Sequence, residues 1–377
     1  MDAVLGPSQD PWLDGFRRRC DPLADAVIEV VDREGGGRAL PACERLAAGG
    51  EPACVRFLDA TSELPDWVDF DEHHAGRRMF ERNGLLALLV GFTVLVDSYA
   101  GRNDNKVLML SGRLRGGSAF RRLVETAAFV REVVAEGALR PGGSGHRAVL
   151  SVRLLHARVR VCCRAAGYEV DRYDEPINQE ALCGTLMLFS SGVILALEKL
   201  GVRVTEQERE SYHRLWRAAG WLMGVDEALL PETYAGELEL YERMKAHQYW
   251  PDADTRVLFE AAVEGIAGGA RGLPLRLQVL GAGLLRSKGF MREFTRYCVD
   301  PRLGEFLVER GDVRMRAVLE AVRAVAAVVS RVQQVPGVDG IAHGVQARMF
   351  GGVIEALLGG QRAGFDDPGF REVGTTN

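Results

Sequence analysis

Residues 153–168 read RLLHARVRVCCRAAGY, and the fold follows from how they are read. Along a helix, positions three and four apart stack on one face. Arg153, His156 and Arg160 have that spacing, and Val149, Val152, Val159 and Cys163 fall beside them. The pattern predicts one helix, ending at Gly167, with a buried or pocket-lining histidine between two arginines. A buried imidazole flanked by cations suits a metal-centred, anionic cofactor. On this helix alone the plainer reading is a core histidine bonded to a backbone carbonyl, with arginines capping neighbouring helix ends.

The same helical pattern extends to both sides. Helices are predicted over 71–100 and 118–136, each closed by glycine (Gly101, Gly137). Asn178 is placed to cap a helix running to Leu200, and Thr205 with Glu208 three residues on matches a capping box. Further helices are expected over 226–249, 252–268, 274–288, 301–310 and 312–334. No sustained two-residue alternation marks a strand, and no internal repeat is visible. The expected fold class is all-α. The expected division is a helical extension over 1–60, a main helical domain over 61–335, and a C-terminal segment over 336–377 that is partly flexible at its end.

Composition sets outer limits. The 377 residues are 47% hydrophobic and 26% charged, as in ordinary globular chains. A net charge of −5, with no polybasic block, argues against nucleic-acid binding. The longest apolar run, Leu85 to Val96, falls short of the about 20 residues a bilayer-spanning helix needs, so it reads as a buried core helix. The N-terminus lacks the apolar stretch of a secretion signal. Seven cysteines without CxxC spacing fit free thiols in a reducing compartment, and the expected location is the cytoplasm.

A second chemical feature lies in Arg121–Phe129. Arg122 and Thr126, four apart, share a face with Ala119, Phe129 and Val133. A charge on an apolar stripe costs several kcal/mol unless paired, so Arg122 must meet an anion, a buried acceptor or a polar cavity. A carboxylate from another helix would satisfy it equally well. A third feature is Pro176-Ile177-Asn178-Gln179-Glu180, where Asn178 reads as a cap and Gln179 is a candidate to reach the histidine helix. Glu210 and His213 give the single Glu-x-x-His of the chain, where a di-iron bundle needs two. HExxH, P-loop, GxGxxG and GxSxG patterns are absent.

Taken in order, Ser111-Gly112-Arg113-Leu114, Arg121-Arg122-Leu123-x-x-Thr126, Arg153-Leu154-Leu155-His156-Ala157-x-Val159-Arg160, Pro176–Glu180 and Trp216-x-x-x-Gly220-x-x-x-Gly224-Val225 resemble the signature of the latex-clearing-protein superfamily. This is also known as the rubber oxygenase or MpaB-type oxygenase family. The likeness covers roughly residues 60 to 290, and the chain reads as a divergent, non-secreted member.

The resemblance implies a globin-like helical core around haem b. His156 would be the proximal iron ligand, Arg122 and Thr126 would sit near the distal pocket, and Arg153 and Arg160 would support the haem site. Neutral imidazole is a normal haem ligand, and guanidinium groups suit propionates. Latex-clearing proteins carry a lysine just before the distal threonine. Glu125 stands there in this chain, and a carboxylate can act as a base or hold water. The expected function is that of a haem-dependent oxygenase using dioxygen on a hydrophobic small molecule, with an alkene or isoprenoid chain among the candidates. A haem-binding sensor or carrier without turnover, and a haem-free helical scaffold, remain beside it.

Overall fold

The computed structural model describes residues 8–111, 118–272, 282–334, 338–359 and 363. Among these, helices account for the architecture, and one isolated bridge, Gly101 to Tyr249, is the only extended pairing. The chain is all-α, as its periodicity predicts. Residues 112–114 of the first motif, most of the helix expected over 274–288, and the tail beyond 363 lie outside the described residues.

Side-chain caps set many of the helix starts. Asp10, Asp21 and Glu51 accept backbone N–H groups at the heads of α1 (Pro11–Arg17), α2 (Pro22–Arg33) and α4 (Pro52–Ser62), each with proline in its first turn. Together with α3 (Ala39–Ala48), α2 and α4 form a small core of their own.

The segment expected as one helix over 71–100 is broken. α5 (His74–Arg82) and α6 (Gly84–Val94) belong to segments that meet at 91°. Asn83 turns its side chain back onto the Met79 carbonyl at 2.8 Å, and Arg82 is held by Glu208. Gly84 lets α6 meet α19 (Val338–Leu358), since a Cβ there would lie 2.9 Å from the Phe350 Cβ. Apolar periodicity runs straight through this corner, which tertiary contacts make.

α7 (Arg102–Ser111), α8 (Ser118–Val134) and α9 (Ser144–Ala165) follow, with α8 packed on α9. After the short α10 (Val170–Tyr173) come α11 (Gln179–Met187), a π turn over Leu188–Gly192, and α12 (Val193–Lys199). The stretch Gln179–Lys199 is long and apolar enough to cross a bilayer, but most of it is buried against other helices. α13 (Glu206–Leu222) starts at the expected capping box, with both reciprocal bonds formed. α14 (Tyr234–Gln248), α15 (Ala253–Gly269), α16 (Lys288–Cys298), α17 (Pro301–Leu307), α18 (Val313–Gln333) and α19 complete the described chain.

The histidine helix α9 is covered on two sides. Leu150, Leu154 and Ala157 pack into the core of α2 to α4. On the same side Arg153 donates to Asp21 from Nε at 2.6 Å and Nη2 at 3.0 Å, and Arg160 donates to Asp25 from Nε at 2.8 Å and Nη2 at 2.6 Å. Val152, Leu155, His156 and Val159, on the adjoining side, line an internal cavity. Arg153 and Arg160, seven residues apart, lie in one row. His156 is rotated from them by about 40–60° at ~100° per residue. The shared face expected for all three is therefore two adjoining faces.

Breaking the Asp21–Arg153 pair strands a buried guanidinium. Asp21→Ala should cost about 3–5 kcal/mol in urea unfolding, and a loss below about 1 kcal/mol would mean that the pair is not buried as described. α5 crosses α13 so closely that a Cβ on Gly76 would lie 2.2 Å from the Tyr212 backbone nitrogen. Gly76→Ala should destabilise by about 1–3 kcal/mol or more. An unchanged unfolding midpoint would contradict this contact.

Candidate functional site

Between α7, α8, α9, α11 and α13 lies a cavity of about 250 Å³. Its walls are mostly apolar: Leu123 and Phe129 from α8, Leu155 from α9, Leu182 from α11, and Trp216 from α13, which stacks on Phe189. Into this space project His156, Arg122, Glu125, Thr126, Tyr99 and Asp104. Four of the six residues singled out from sequence thus meet in one cavity. Arg153 and Arg160 do not line it and instead hold α9 against α2.

His156 keeps part of its ring open to the cavity, while its Nδ1 is buried without a hydrogen-bond partner. Burial, helped by the Arg160 and Arg122 charges, lowers its pKa to about 3. The imidazole is therefore neutral over the working range and has a lone pair to offer. Among the described residues no three His, Cys, Asp or Glu side chains converge as a metal cage.

On α8, Thr126 donates its hydroxyl to the Arg122 carbonyl at 2.9 Å, which leaves its lone pairs free to accept. Glu125 accepts from Arg121 Nε at 2.9 Å, four residues back along α8. Arg122 is the cation among the described lining residues, near enough to bias His156, Tyr99 and Asp104.

Asp104 escapes the sequence reading because it sits in the polar stretch GRNDN, which looks like a helix terminator. In the fold it is in the first turn of α7, inside the cavity. Burial, with the Glu180 charge behind it and Arg122 opposing, raises its pKa to about 8. Glu180 itself accepts from Arg17 Nε at 2.6 Å and lies 2.7 Å from His247 Nδ1.

The Pro176–Glu180 segment holds elements together. Asn178 caps α11 through Ala181 N at 3.0 Å. Gln179 donates to the Cys20 and Gly224 carbonyls at 3.0 and 2.9 Å and accepts from Asp226 N at 2.8 Å, so it does not reach α9. Ile177, on the cavity wall, has φ +50°, a rare conformation for a β-branched residue. Asn103 and Asn178 brace this loop through the Glu175 carbonyl at 3.0 and 2.9 Å. The glycines of the Trp216 motif have packing roles. Gly220 leaves room for Leu186 and Leu230, and Gly224, at φ +84°, leaves room for the Arg153–Asp21 pair.

A carboxyl raised to about 8 keeps its proton in the folded chain where the unfolded chain has lost it, so Asp104 makes stability fall as pH rises from about 4 to about 8. His156 acts oppositely, with stability lost as pH falls from about 6.5 toward 3. Asp104→Asn should melt close to the parent at about pH 4 and clearly above it at about pH 8.5. A melting difference independent of pH would contradict the buried, protonated carboxyl.

Comparison with known proteins gives a consistent result. A rubber oxygenase of Streptomyces sp. (strain K30) is 23% identical over 371 residues, covering 92% of this chain and 85% of its own. The structure of latex clearing protein LCP in the closed state matches with a TM-score of 0.66 at 20% identity, over 91% of both chains. At that identity the structural likeness shows the fold. The sequence profile of the family described as ER-bound oxygenase mpaB/B'/Rubber oxygenase, catalytic domain, matches residues 74–331, a span that holds α8, α9 and α13 and with them most of the cavity. By that match, the chain belongs to the mpaB/rubber oxygenase catalytic-domain family.

Proposed function

We propose that this chain is a haem-dependent oxygenase that acts on a hydrophobic, unsaturated small molecule, with His156 as the residue that would hold the iron. The observation that carries the reading is a neutral histidine facing a mostly apolar cavity in which, among the described residues, no three metal-binding side chains converge. A lone imidazole holds a metal well only if something else supplies the remaining donors, and a porphyrin does so. An iron porphyrin bound there would supply dioxygen activation, with axial ligand and pocket polarity tuning it.

The chain's own residues would do the rest. Arg122 is the cavity cation and the side chain best placed to meet a propionate or another anion, while Arg153 and Arg160 support the site indirectly by fixing α9. The Thr126 oxygen accepts hydrogen bonds. Glu125, beside Arg121, is a carboxylate at the cavity wall able to take a proton. Asp104 holds a proton at its carboxyl to about pH 8 and so can donate a hydrogen bond. The apolar walls exclude water and select a hydrophobic guest, and the rubber oxygenase from Streptomyces makes an isoprenoid chain the first class to try. The proposal keeps a cytoplasmic setting, since all seven cysteines are free thiols.

Protein reconstituted with haemin should show a Soret band that His156→Ala abolishes or shifts strongly. Oxygen uptake with a panel of unsaturated lipids and isoprenoids should then exceed the haemin background, and Glu125→Gln should reduce it by about tenfold or more. A spectrum unchanged in His156→Ala would remove His156 as ligand. Haem binding without uptake on any member of the panel would leave the sensor or carrier reading.

A further inference from the structure

A smaller void of about 20 Å³ lies beside the His156 cavity. The two share Leu95, Leu123, Thr126 and Phe189 as a common wall. Elsewhere the void is lined by Gly91, Val130, Val193 and Phe350, from α6, α8, α12 and α19.

Size and polarity decide what can occupy it. A water needs about 10–15 Å³ and two to four polar partners, whereas benzene-sized guests are held by cavities on the order of 150 Å³. The void therefore admits one small particle and is too small for a hydrocarbon chain. Among the described residues, Thr126 is the one polar side chain in its lining, and its hydroxyl is already donated to the Arg122 carbonyl. Water there would find at most the Thr126 oxygen as acceptor, short of the two to four partners it needs, so a small apolar occupant is favoured. Gly91 is what leaves the space: a Cβ there would meet no atom within 4 Å.

We propose that this void is a holding site for dioxygen, from which the gas passes to the His156 cavity through the wall of Leu95, Leu123, Thr126 and Phe189. The identity of the gas rests on the oxygenase reading above. That a small apolar particle binds there does not.

Xenon serves as the probe. Crystals of the full chain under xenon pressure, or xenon NMR in solution, should show one xenon between Gly91 and Phe350, and Gly91→Leu should abolish it. In haem-loaded protein, Gly91→Leu should slow dioxygen or carbon monoxide association by roughly fivefold or more by filling the void, with the Soret band retained. Gly91→Ala, which adds one methyl where Gly91→Leu adds a whole side chain, should slow the rate less than Gly91→Leu does. Absence of xenon from the void overturns the site whatever the haem result. Xenon binding with an unchanged association rate in Gly91→Leu overturns its role as a feeder. If xenon binds but haem does not, the dioxygen assignment falls with the oxygenase reading while the gas site stands.

Discussion

The buried ion pair between Asp21 and Arg153 sets how α9 sits, and the cavity depends on α9. Arg153 uses its whole guanidinium there: Nε and Nη2 donate to Asp21, Nη1 donates to the Leu222 carbonyl at 3.0 Å, and the plane lies over Phe57. Such pairs contribute little net stability, because desolvation offsets much of the attraction, but they penalise every arrangement that separates the partners. Arg160 and Asp25 repeat the clamp two turns on. Two clamps in one row fix the rotation of α9 about its axis, and slipping by one residue would turn every side chain by ~100°. His156 faces the cavity because Arg153 and Arg160 cannot face it.

The same burial acts on the two titratable groups opposite one another in sign. It lowers His156 and raises Asp104, so near neutral pH both are uncharged in the cavity. Environments that push pKa values apart sort groups into acids and ligands or bases. Here the imidazole offers a lone pair and the carboxyl offers a proton. The charges that keep this arrangement in place are set back from the cavity. Asp21 and Asp25 lie behind α9, and Glu180, with Arg17 and His247, lies behind α11.

What could be read from the sequence was local. Capping at Asn178 and at Thr205 with Glu208 follows from side chains within three residues of the amides they satisfy, and both caps form as expected. Arg122, Thr126 and His156 were also legible, because a polar residue on an apolar stripe needs an explanation wherever it occurs. The corner at Asn83 was not, since the Gly84–Phe350 contact joins residues far apart in the chain. Nor were the partners of Arg153 and Arg160: Asp21 and Asp25 lie in a segment read as an extension, and only the fold shows that it forms one wall of the histidine helix. Asp104 looked like solvent-facing punctuation because nothing in a polar run indicates that its turn is buried.

The spacing of Trp216, Gly220 and Gly224 links these levels. Four-residue steps keep all three near one face of α13 and the turn that ends it. Trp216 is cavity wall, stacked on Phe189 at 5.3 Å. Gly220 lets Leu186 of α11, itself a cavity residue, come within reach of the α13 backbone. Gly224 leaves the volume that the Arg153 guanidinium and Asp21 occupy, and its carbonyl accepts from Gln179. One helix end thus bears on the wall, the spacing of α11 and the clamp on α9. A side chain added at Gly224 would push on Arg153 first and so turn His156, although the two positions share no contact. In this fold the residues that aim the histidine lie outside the cavity it serves.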